Sequence, residues 1–379
     1  MDAVNQSRGN ILYLAVPCYN EEEVLPHTAE VMQEKLQRLI REGKISPKSK
    51  IMFINDGSRD NTWRIIQELC RKDTLFSGLS FSRNYGHQSA ILAGMMAARP
   101  HADMVVTIDA DLQQDIEALD AFIAAYQDGC EVVYGVRNDR NTDGFFKKFT
   151  AGAFYKLMQL LGCHVMSNHA DYRLLSRKAL DALAEYREVN LFLRGLIPTM
   201  GFQSDVVYFD VKEREAGTSK YTFKKMMTLA IDGITSMSTR PIQAIAALGF
   251  LVSLFSIVMI IYCIMEWAMG RNVPGYTTTL VVSLLMGGLT IFSLGIVGEY
   301  VGKIYLETKA RPRYIVDSFV WKESEAGDSG SGEQDGREYA WQERIAQECV
   351  SQECASQECV SQECVAQEDE AGRTADREV

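Results

Sequence analysis

Two long stretches without a charged residue constrain this chain more than any other feature of its sequence. The first runs from Pro241 to Met265 and the second from Asn272 to Gly298, with Arg271 in the short connection. About 20 apolar residues in a helix cross the hydrocarbon core of a bilayer, so each stretch is long enough to span it. The sequence therefore predicts a two-helix transmembrane hairpin over residues 241–302, in preference to two buried core helices.

Basic residues crowd the two outer flanks of this hairpin. They are Lys224, Lys225 and Arg240 before it, and Lys303, Lys309, Arg311 and Arg313 after it. Basic loops are retained in the cytoplasm, so both flanks are expected there. The polar start of the chain, from Met1 to Asn10, has no signal-peptide pattern. We expect a multi-pass protein of the inner (cytoplasmic) membrane with two spans, whose globular part and both termini are cytoplasmic.

The segments that border the hairpin have their own patterns. Residues 221–240 keep apolar positions at helical spacing and carry a lysine pair on another face. Such a helix just before a span is typical of an element that lies in the membrane interface, and an ordinary surface helix is the alternative. Residues 303–321 are expected to form a cytoplasmic basic segment.

The formal net charge of −11 comes from the tail of the chain. Residues 322–379 hold 16 acidic and 5 basic residues, whereas the remaining residues hold 34 of each sign. No basic stripe appears elsewhere, so no nucleic-acid partner is expected. The tail is poor in large apolar residues and is predicted to be disordered. Its Gln-Glu-Cys repeat is interpreted as a repeat expansion without its own function, with soft-metal binding by the four thiols as the alternative. These thiols are Cys349, Cys354, Cys359 and Cys364.

Residues 11–136 alternate between short apolar runs and helical patterns, and residues 145–215 continue the same domain. This alternation predicts an α/β domain with a mostly parallel sheet covered on both faces. The predicted strands are Ile11–Val16, Ile51–Ile54, Leu79–Phe81, Val105–Ile108, Val132–Val136 and a later one near Asp205–Val211. The predicted helices are Glu22–Arg41, Gln88–Ala98, Ile116–Gln127 and one near Phe146–Leu161.

Polar clusters follow three of these strands. They are Tyr19-Asn20-Glu21, Asn55-Asp56-Gly57 and Asp109-Ala110-Asp111. In open α/β sheets ligands bind beyond the carboxyl ends of the strands, so these clusters predict a site at one edge of the sheet. Two carboxylates around one residue can hold Mg²⁺ or Mn²⁺, and the ion can bridge a diphosphate. A solvated acidic turn is the alternative for that motif alone. A dehydrogenase is excluded because the first strand leads into PCYNEE and not G-x-G-x-x-G.

Several motifs in fixed order extend this interpretation over residues 11–315. They are VPCYNEEEVL from Val16, INDGSRDNT from Ile54, FSRNYGHQSAILAGM from Phe81, TIDADLQQD from Thr107, YGVRNDR from Tyr134, ADYRLLSRKAL from Ala170 and REAGTSKY from Arg214. Together they resemble the family 2 glycosyltransferases of the GT-A fold, in the polyprenyl-phosphate (dolichol-phosphate-like) branch. The resemblance implies a GT-A catalytic domain over residues 1–220, and the tail has no counterpart in it.

The resemblance also implies roles for single residues. It implies that the nucleotide is bound by Pro17, Tyr19, Asn20, Glu21, Asp56 and Asp109, and that Mg²⁺ or Mn²⁺ is bound by Asp109, Asp111 and Gln113. It implies catalytic roles for Asp111 and Asp171. It implies that phosphate or the acceptor is bound by Arg137, Arg214, Ser219 and Lys220. Asn55 stands where many relatives have Asp. For Asp171, a structural pairing with Arg173 or Arg177 is the alternative to catalysis, and His87 is equally compatible with a place near the donor and with a structural role.

The implied activity is inverting transfer of a sugar from a nucleotide donor to undecaprenyl or another polyprenyl phosphate at the cytoplasmic face. Glucose from UDP-glucose is the first expectation, with an aminoarabinose derivative, N-acetylglucosamine or mannose as alternatives. A processive polysaccharide synthase is disfavoured because no Q-x-x-R-W motif is present. An inactive membrane scaffold is disfavoured because both Asp109 and Asp111 are retained. Small residues in the second span make a homo-oligomer possible. They are Gly287, Gly288, Gly295 and Gly298.

Overall fold

The computed structural model describes residues 9–138, 169–210, 234–236, 238–269 and 275–321. The predicted helix near Phe146–Leu161, most of the predicted interfacial helix at 221–240 and the acidic tail lie outside these ranges, so they stay predictions.

The strands form one sheet of eight, in the order β7-β5-β6-β4-β1-β2-β3-β8. Their bounds are β1 Leu12–Cys18, β2 Lys50–Asn55, β3 Phe76–Phe81, β4 Met104–Thr107, β5 Val132–Arg137, β6 His169–Ser176, β7 Ser204–Phe209 and β8 Val316–Val320. The helices are α1 Leu25–Arg41, α2 Thr62–Lys72, α3 His87–Ala98, α4 Leu119–Gln127, α5 Arg177–Ala184, α6 Leu193–Thr199, α7 Arg240–Ala268 and α8 Tyr276–Thr308.

The sheet is mostly parallel, which confirms the predicted fold class. Parallel pairing joins β4, β1, β2 and β3, and joins β5 to β7. Two strands run antiparallel: β6 lies between β4 and β5, and β8 pairs with β3 at one edge. Neither of these two was predicted. Because β8 follows α7 and α8 in the chain, the sheet is completed by a segment for which the sequence predicts only a basic cytoplasmic stretch.

The central strand β1 is buried on both faces, and alternate side chains contribute to two separate cores. Leu14 and Val16 pack on the face of α1, α2 and α4, whereas Tyr13 and Ala15 pack on the face of α3, α5 and α6. This explains why the strand is apolar throughout and not alternating, since helices cover both faces of a parallel sheet.

The helices α7 and α8 are long and apolar enough to cross a membrane, judged by length and composition. The qualifying segments are Arg240–Met259 and Leu285–Thr308, with mean hydropathies of 2.3 and 1.4. In the most apolar part of the first segment no residue is buried, and in that of the second segment only 6% of the residues are. These are therefore not core helices of the α/β domain. Unburied apolar surface of this length is what a membrane-associated helix presents.

Candidate active site

Hydrogen bonds join the loops that follow the carboxyl ends of β1 and β2. The backbone N–H of Asn20 donates to the hydroxyl of Ser58 at 3.0 Å, and the Asn20 carboxamide oxygen accepts from the backbone of Arg59 at 2.9 Å. Asn20 adopts a left-handed φ of 54°, which asparagine tolerates better than most residues. The backbone of Glu21 donates to Thr62 at 2.9 Å. The predicted nucleotide-binding residues after β1 therefore lie beside those after β2.

Asp56 is buried at the end of β2 and organises the loop that precedes α3. Its carboxylate accepts backbone N–H groups from Tyr85 at 2.7 Å and from Gly86 at 3.0 Å. Burial raises the pKa of Asp56, and the two N–H donors and the nearby His87 oppose that shift. The neighbouring Asn55 is buried as well; it donates to Ser80 at 2.9 Å and accepts from the backbone of Ser58 at 3.2 Å. The buried Asn55 side chain thus uses both its amide donor and its carboxamide oxygen in hydrogen bonds.

Gly57 is required at the turn after Asp56. Its φ is +61°, and a Cβ at this position would lie 2.3 Å from the carbonyl carbon of Arg83. Real Cβ atoms do not approach backbone atoms this closely, so only glycine lets the loop after β2 pack on the loop after β3.

Asp109 and Asp111 follow β4, in a turn that is held from two sides. Gln114 donates to the Asp109 carboxylate at 2.7 Å and accepts from the Asp109 backbone N–H at 3.0 Å. The hydroxyl of Thr28, on α1, donates to the backbone carbonyl of Ala110 at 2.7 Å. The Asp111 carboxylate accepts the backbone N–H of Gln113 at 3.1 Å. The metal-binding role assigned to Asp109, Asp111 and Gln113 stays a prediction.

Asp171, on β6, is the centre of a buried ion cluster. Its side chain is 9% exposed and pairs with the fully buried Arg173, two residues along the same strand, and with Arg194 on α6 at 2.8 Å. Arg173 also donates to the backbone carbonyl of Leu193 at 3.3 Å. The Nε of Arg173 is buried and has no hydrogen-bond partner among the described residues. The structural pairing that the sequence left open for Asp171 is therefore present, with Arg173.

His87 lies between the carboxylates of two different strands. Its Nε2 is 3.5 Å from Asp109 and 3.6 Å from Asp171. Burial lowers the pKa of His87, but the carboxylates of Asp171 and Asp109 outweigh burial, so the pKa lies above its ordinary value. The motif containing His87 therefore belongs to the same site as the acidic pair after β4.

These contacts set the charge of the neighbouring carboxyls. Burial raises the pKa of Asp171, but the neighbouring His87 and the guanidinium groups of Arg173 and Arg194 hold it well below its usual range. Burial and the carboxylates of Asp171 and Asp111 raise the pKa of Asp109, against the effect of His87. Asp171 is thus a firmly ionised group, whereas Asp109 binds a proton more readily than an ordinary aspartate.

The structure brings most of the predicted site residues to this one edge. Pro17 is buried at the end of β1, Tyr19 is 43% exposed beside Asn20, and Arg137 at the exposed end of β5 acts electrostatically on Asp109. Arg214, Ser219 and Lys220 lie outside the described residues, and their assignment to the acceptor stays a prediction.

Sequence reasoning missed Arg194 and Gln114 and left His87 undecided. Gln114 lies three residues after Asp111, close enough in the chain to predict that it supports the acidic turn. Asp171 and Arg173 stand two apart on a strand and so share a face, which offered a signal for their pairing. Nothing marks Arg194 in the sequence, because its contact with Asp171 depends on how α6 packs.

A divalent cation fits this edge only together with a phosphate ligand. Among the described residues, no three His, Cys, Asp or Glu side chains form a group that could hold a metal ion. The carboxylates of Asp109 and Asp111 supply hard oxygen ligands. Mg²⁺ is typically held by one or two carboxylates while substrate phosphates complete its coordination, and the site has that composition.

Comparison with known proteins identifies the family. The model of the glycosyl transferase family 2 matches residues 13–184. The chain is 44% identical over 313 residues to the uncharacterized glycosyltransferase YkoT of Bacillus subtilis strain 168, covering 83% of this chain and 93% of that protein. It is 39% identical over 308 residues to the bactoprenol glucosyl transferase of Shigella phage SfX, covering 80% and 98%. It is also 38% identical over 305 residues to a prophage bactoprenol glucosyl transferase homolog of Escherichia coli K12, covering 80% and 97%. Each of these matches covers more than 300 residues, and the chain therefore belongs to the family 2 glycosyltransferases.

Proposed function

We propose that this enzyme transfers glucose from UDP-glucose to undecaprenyl phosphate, or a similar polyprenyl phosphate, at the cytoplasmic face of the membrane. The observation that carries the proposal is the link between the membrane-length helix α8 and the acidic cluster. Glu307, in the last turn of α8, accepts hydrogen bonds from the backbone of Val189 and Asn190 at 2.8 and 2.7 Å. Four residues after Asn190, Arg194 pairs with Asp171. This arrangement suits an acceptor whose phosphate lies at the membrane surface.

The donor would bind across the loops after β1, β2 and β4. Asp56 and the segment Tyr19–Glu21 would contact the nucleoside, and Asp109, Asp111 and Gln113 would hold Mg²⁺ or Mn²⁺ beside the diphosphate. The ion, when bound, stabilises the negative charge that develops on the leaving nucleoside diphosphate. Arg137 would add a second positive charge on the same side.

The acceptor needs little help from a general base. The second pKa of a phosphate ester is near ~6, so the attacking oxygen already carries charge at cytoplasmic pH. Asp171 is paired with two guanidinium groups and its pKa is held low, which suits an electrostatic role better than proton removal. Asp171 would therefore orient Arg194, while Arg214, Ser219 and Lys220 would bind the incoming phosphate. Direct displacement by this phosphate inverts the anomeric carbon.

The names of the relatives support this choice of substrates. Two of the matched proteins are called bactoprenol glucosyl transferases, or homologs of one, and bactoprenol is a polyprenol. We infer a glucosyl donor and a polyprenyl-phosphate acceptor from these names. Basic residues around the spans support a cytoplasmic site. The other donors weighed above remain alternatives, since a few loop hydrogen bonds decide sugar specificity.

A lipid-labelling assay tests the proposal. Membranes containing the enzyme are incubated with undecaprenyl phosphate, Mg²⁺ or Mn²⁺ and one of several radiolabelled nucleotide sugars, and the label in the lipid extract is counted. We expect label from UDP-glucose that is lost with EDTA and in Asp111→Ala. Asp181→Ala is the matched control, because Asp181 is 59% exposed on α5 and pairs only distantly with Arg99 at 3.8 Å. Transfer from another donor would correct the sugar, and no transfer from any donor by folded enzyme would refute the proposal.

A further inference from the structure

The short segment Tyr186–Arg194 is fastened at both ends, to different parts of the molecule. At its start, the carboxylate of Glu307 accepts the backbone N–H of Val189 at 2.8 Å, the backbone N–H of Asn190 at 2.7 Å and the Asn190 carboxamide at 2.8 Å. Arg313, just beyond α8, donates to the backbone carbonyl of Tyr186. One carboxylate thus binds three donors that lie 117 or 118 positions away in the chain.

The other end of the segment belongs to the acidic site. The backbone N–H of Leu193 donates to the carboxamide oxygen of Gln88 at 3.1 Å. Gln88 directly follows His87 in α3. The carbonyl of Leu193 accepts from the buried Arg173. Arg194 makes two hydrogen bonds to Asp171, at 3.1 and 2.8 Å. Only two residues separate the Glu307 contacts from these.

From this geometry we propose that Glu307 is a positioning residue for transfer: through the segment Tyr186–Arg194, the end of helix α8 sets the place of Arg194 beside Asp171. The physical basis is that hydrogen bonds to a charged carboxylate are stronger than neutral ones, so three of them fix both position and direction of the segment. Since a displacement of about 1 Å at a reacting centre costs about a hundredfold in rate, the register of this segment matters to the reaction. This inference about the reaction rests on the proposed function.

A purely architectural contact is the competing explanation, in which Glu307 only attaches the helix to the domain. The two explanations differ in what a local change at Glu307 does to Arg194. Residues far apart that share no partner have additive effects, whereas residues that act through one connected element do not. A double-mutant cycle between Glu307→Gln and Arg194→Lys therefore separates them.

The kinetic test uses the full-length enzyme in membranes, with the glucosyl-transfer assay. We expect Glu307→Gln to lower kcat about tenfold, a change that corresponds to about 1.4 kcal/mol in the barrier, with the KM for the nucleotide sugar unchanged. In the Arg194→Lys background the positioned guanidinium is already replaced, so adding Glu307→Gln should lower kcat less than threefold. Glu299→Gln is the matched control on the same helix, because its side chain is exposed, and it should be additive with Arg194→Lys. Additive losses for Glu307→Gln, or an unchanged kcat, would overturn the proposal.

A second measurement does not depend on the reaction. Hydrogen–deuterium exchange of the purified protein should show faster exchange in Glu307→Gln at Val189 and Asn190, and also at the peptide that contains Arg194, relative to Glu299→Gln. Faster exchange confined to Val189 and Asn190 would overturn positioning and leave only attachment. If Glu307→Gln does not fold, Asn190→Ala, which removes one of the three bonds, takes its place in both tests with the same expected pattern. If exchange in Glu307→Gln is also faster at the peptide with Arg194 but the wild-type enzyme transfers no sugar, the mechanical link stands and only the proposed function is refuted.

Discussion

Replacing Asp171 by Asn should weaken the fold as well as the activity. Asp171 neutralises Arg173, whose side chain has no exposed surface, and also pairs with Arg194, whose side chain is 32% exposed. Removing one partner of a buried ion pair typically costs about 3–5 kcal/mol, because an uncompensated charge is left in the interior. Asparagine retains one acceptor oxygen, so the lower end, about 3 kcal/mol, is expected. For domains of 150–250 residues each kcal/mol lowers Tm by roughly 2–4 °C, which gives a decrease of roughly 6–12 °C.

The assay is thermal unfolding of the detergent-solubilised enzyme, run beside the lipid-labelling assay. Asp111→Asn is the matched control, since Asp111 is partly exposed, its carboxylate accepts a backbone N–H, and asparagine can keep that bond. It should lose transfer while its Tm stays within about 2 °C of wild type, as for most substitutions away from buried networks.

The double variant Asp171→Asn with Arg173→Met should recover much of the lost stability, because no buried charge remains. It should not recover transfer. A Tm for Asp171→Asn equal to that of the wild type would refute the view that this carboxylate holds the buried guanidinium. Transfer at the wild-type rate in the same variant would reject a role for Asp171 in the reaction.

Three further changes test other contacts. Gly57→Ala should prevent stable folding, whereas Gly43→Ala, also at positive φ but with open space around it, should cost only about 1 kcal/mol in chemical denaturation; equal losses would refute the steric argument. Because the pKa of His87 is raised on folding, its contribution to stability is complete below about pH 6.5 and is lost as pH rises through the folded-state pKa. The Tm of the wild type in EDTA should therefore exceed that of His87→Gln by less and less toward alkaline pH. A Tm difference that does not change with pH would contradict this. Asn55→Asp should cost about 1–3 kcal/mol, because it adds a buried carboxylate beside Asp56 even though the Ser80 hydroxyl can rotate to donate to it; an unchanged Tm would refute this.

Features that depend on neighbours along the chain were predictable. The continuous apolar run of β1, the acidic residues at the ends of β2 and β4, and the uncharged stretches that form α7 and α8 all record local requirements of burial or of bilayer thickness. The carboxyl ends of parallel strands meet at one edge, so the sequence also predicted one site for Asp56 and Asp109.

Strand order was not predictable in the same way. The strand β6, with Asp171 and Arg173, inserts antiparallel between β4 and β5, and β8 returns to the sheet after α8. Short strands of ordinary composition carry no signal for direction or partner, because pairing is decided by where the remaining apolar surface lies once the helices have packed.

The amino-acid sequence by itself therefore determined the α/β class and the two membrane-length helices, and it predicted a ligand site at the carboxyl ends of the strands. Only the tertiary structure decided that His87 lies between Asp109 and Asp171, that Arg194 pairs with Asp171, and that Glu307 binds the segment before α6. The physical reason is distance along the chain. The Glu307 contacts join residues 117 and 118 positions apart, and such contacts are fixed by the packing of whole elements and not by any local pattern.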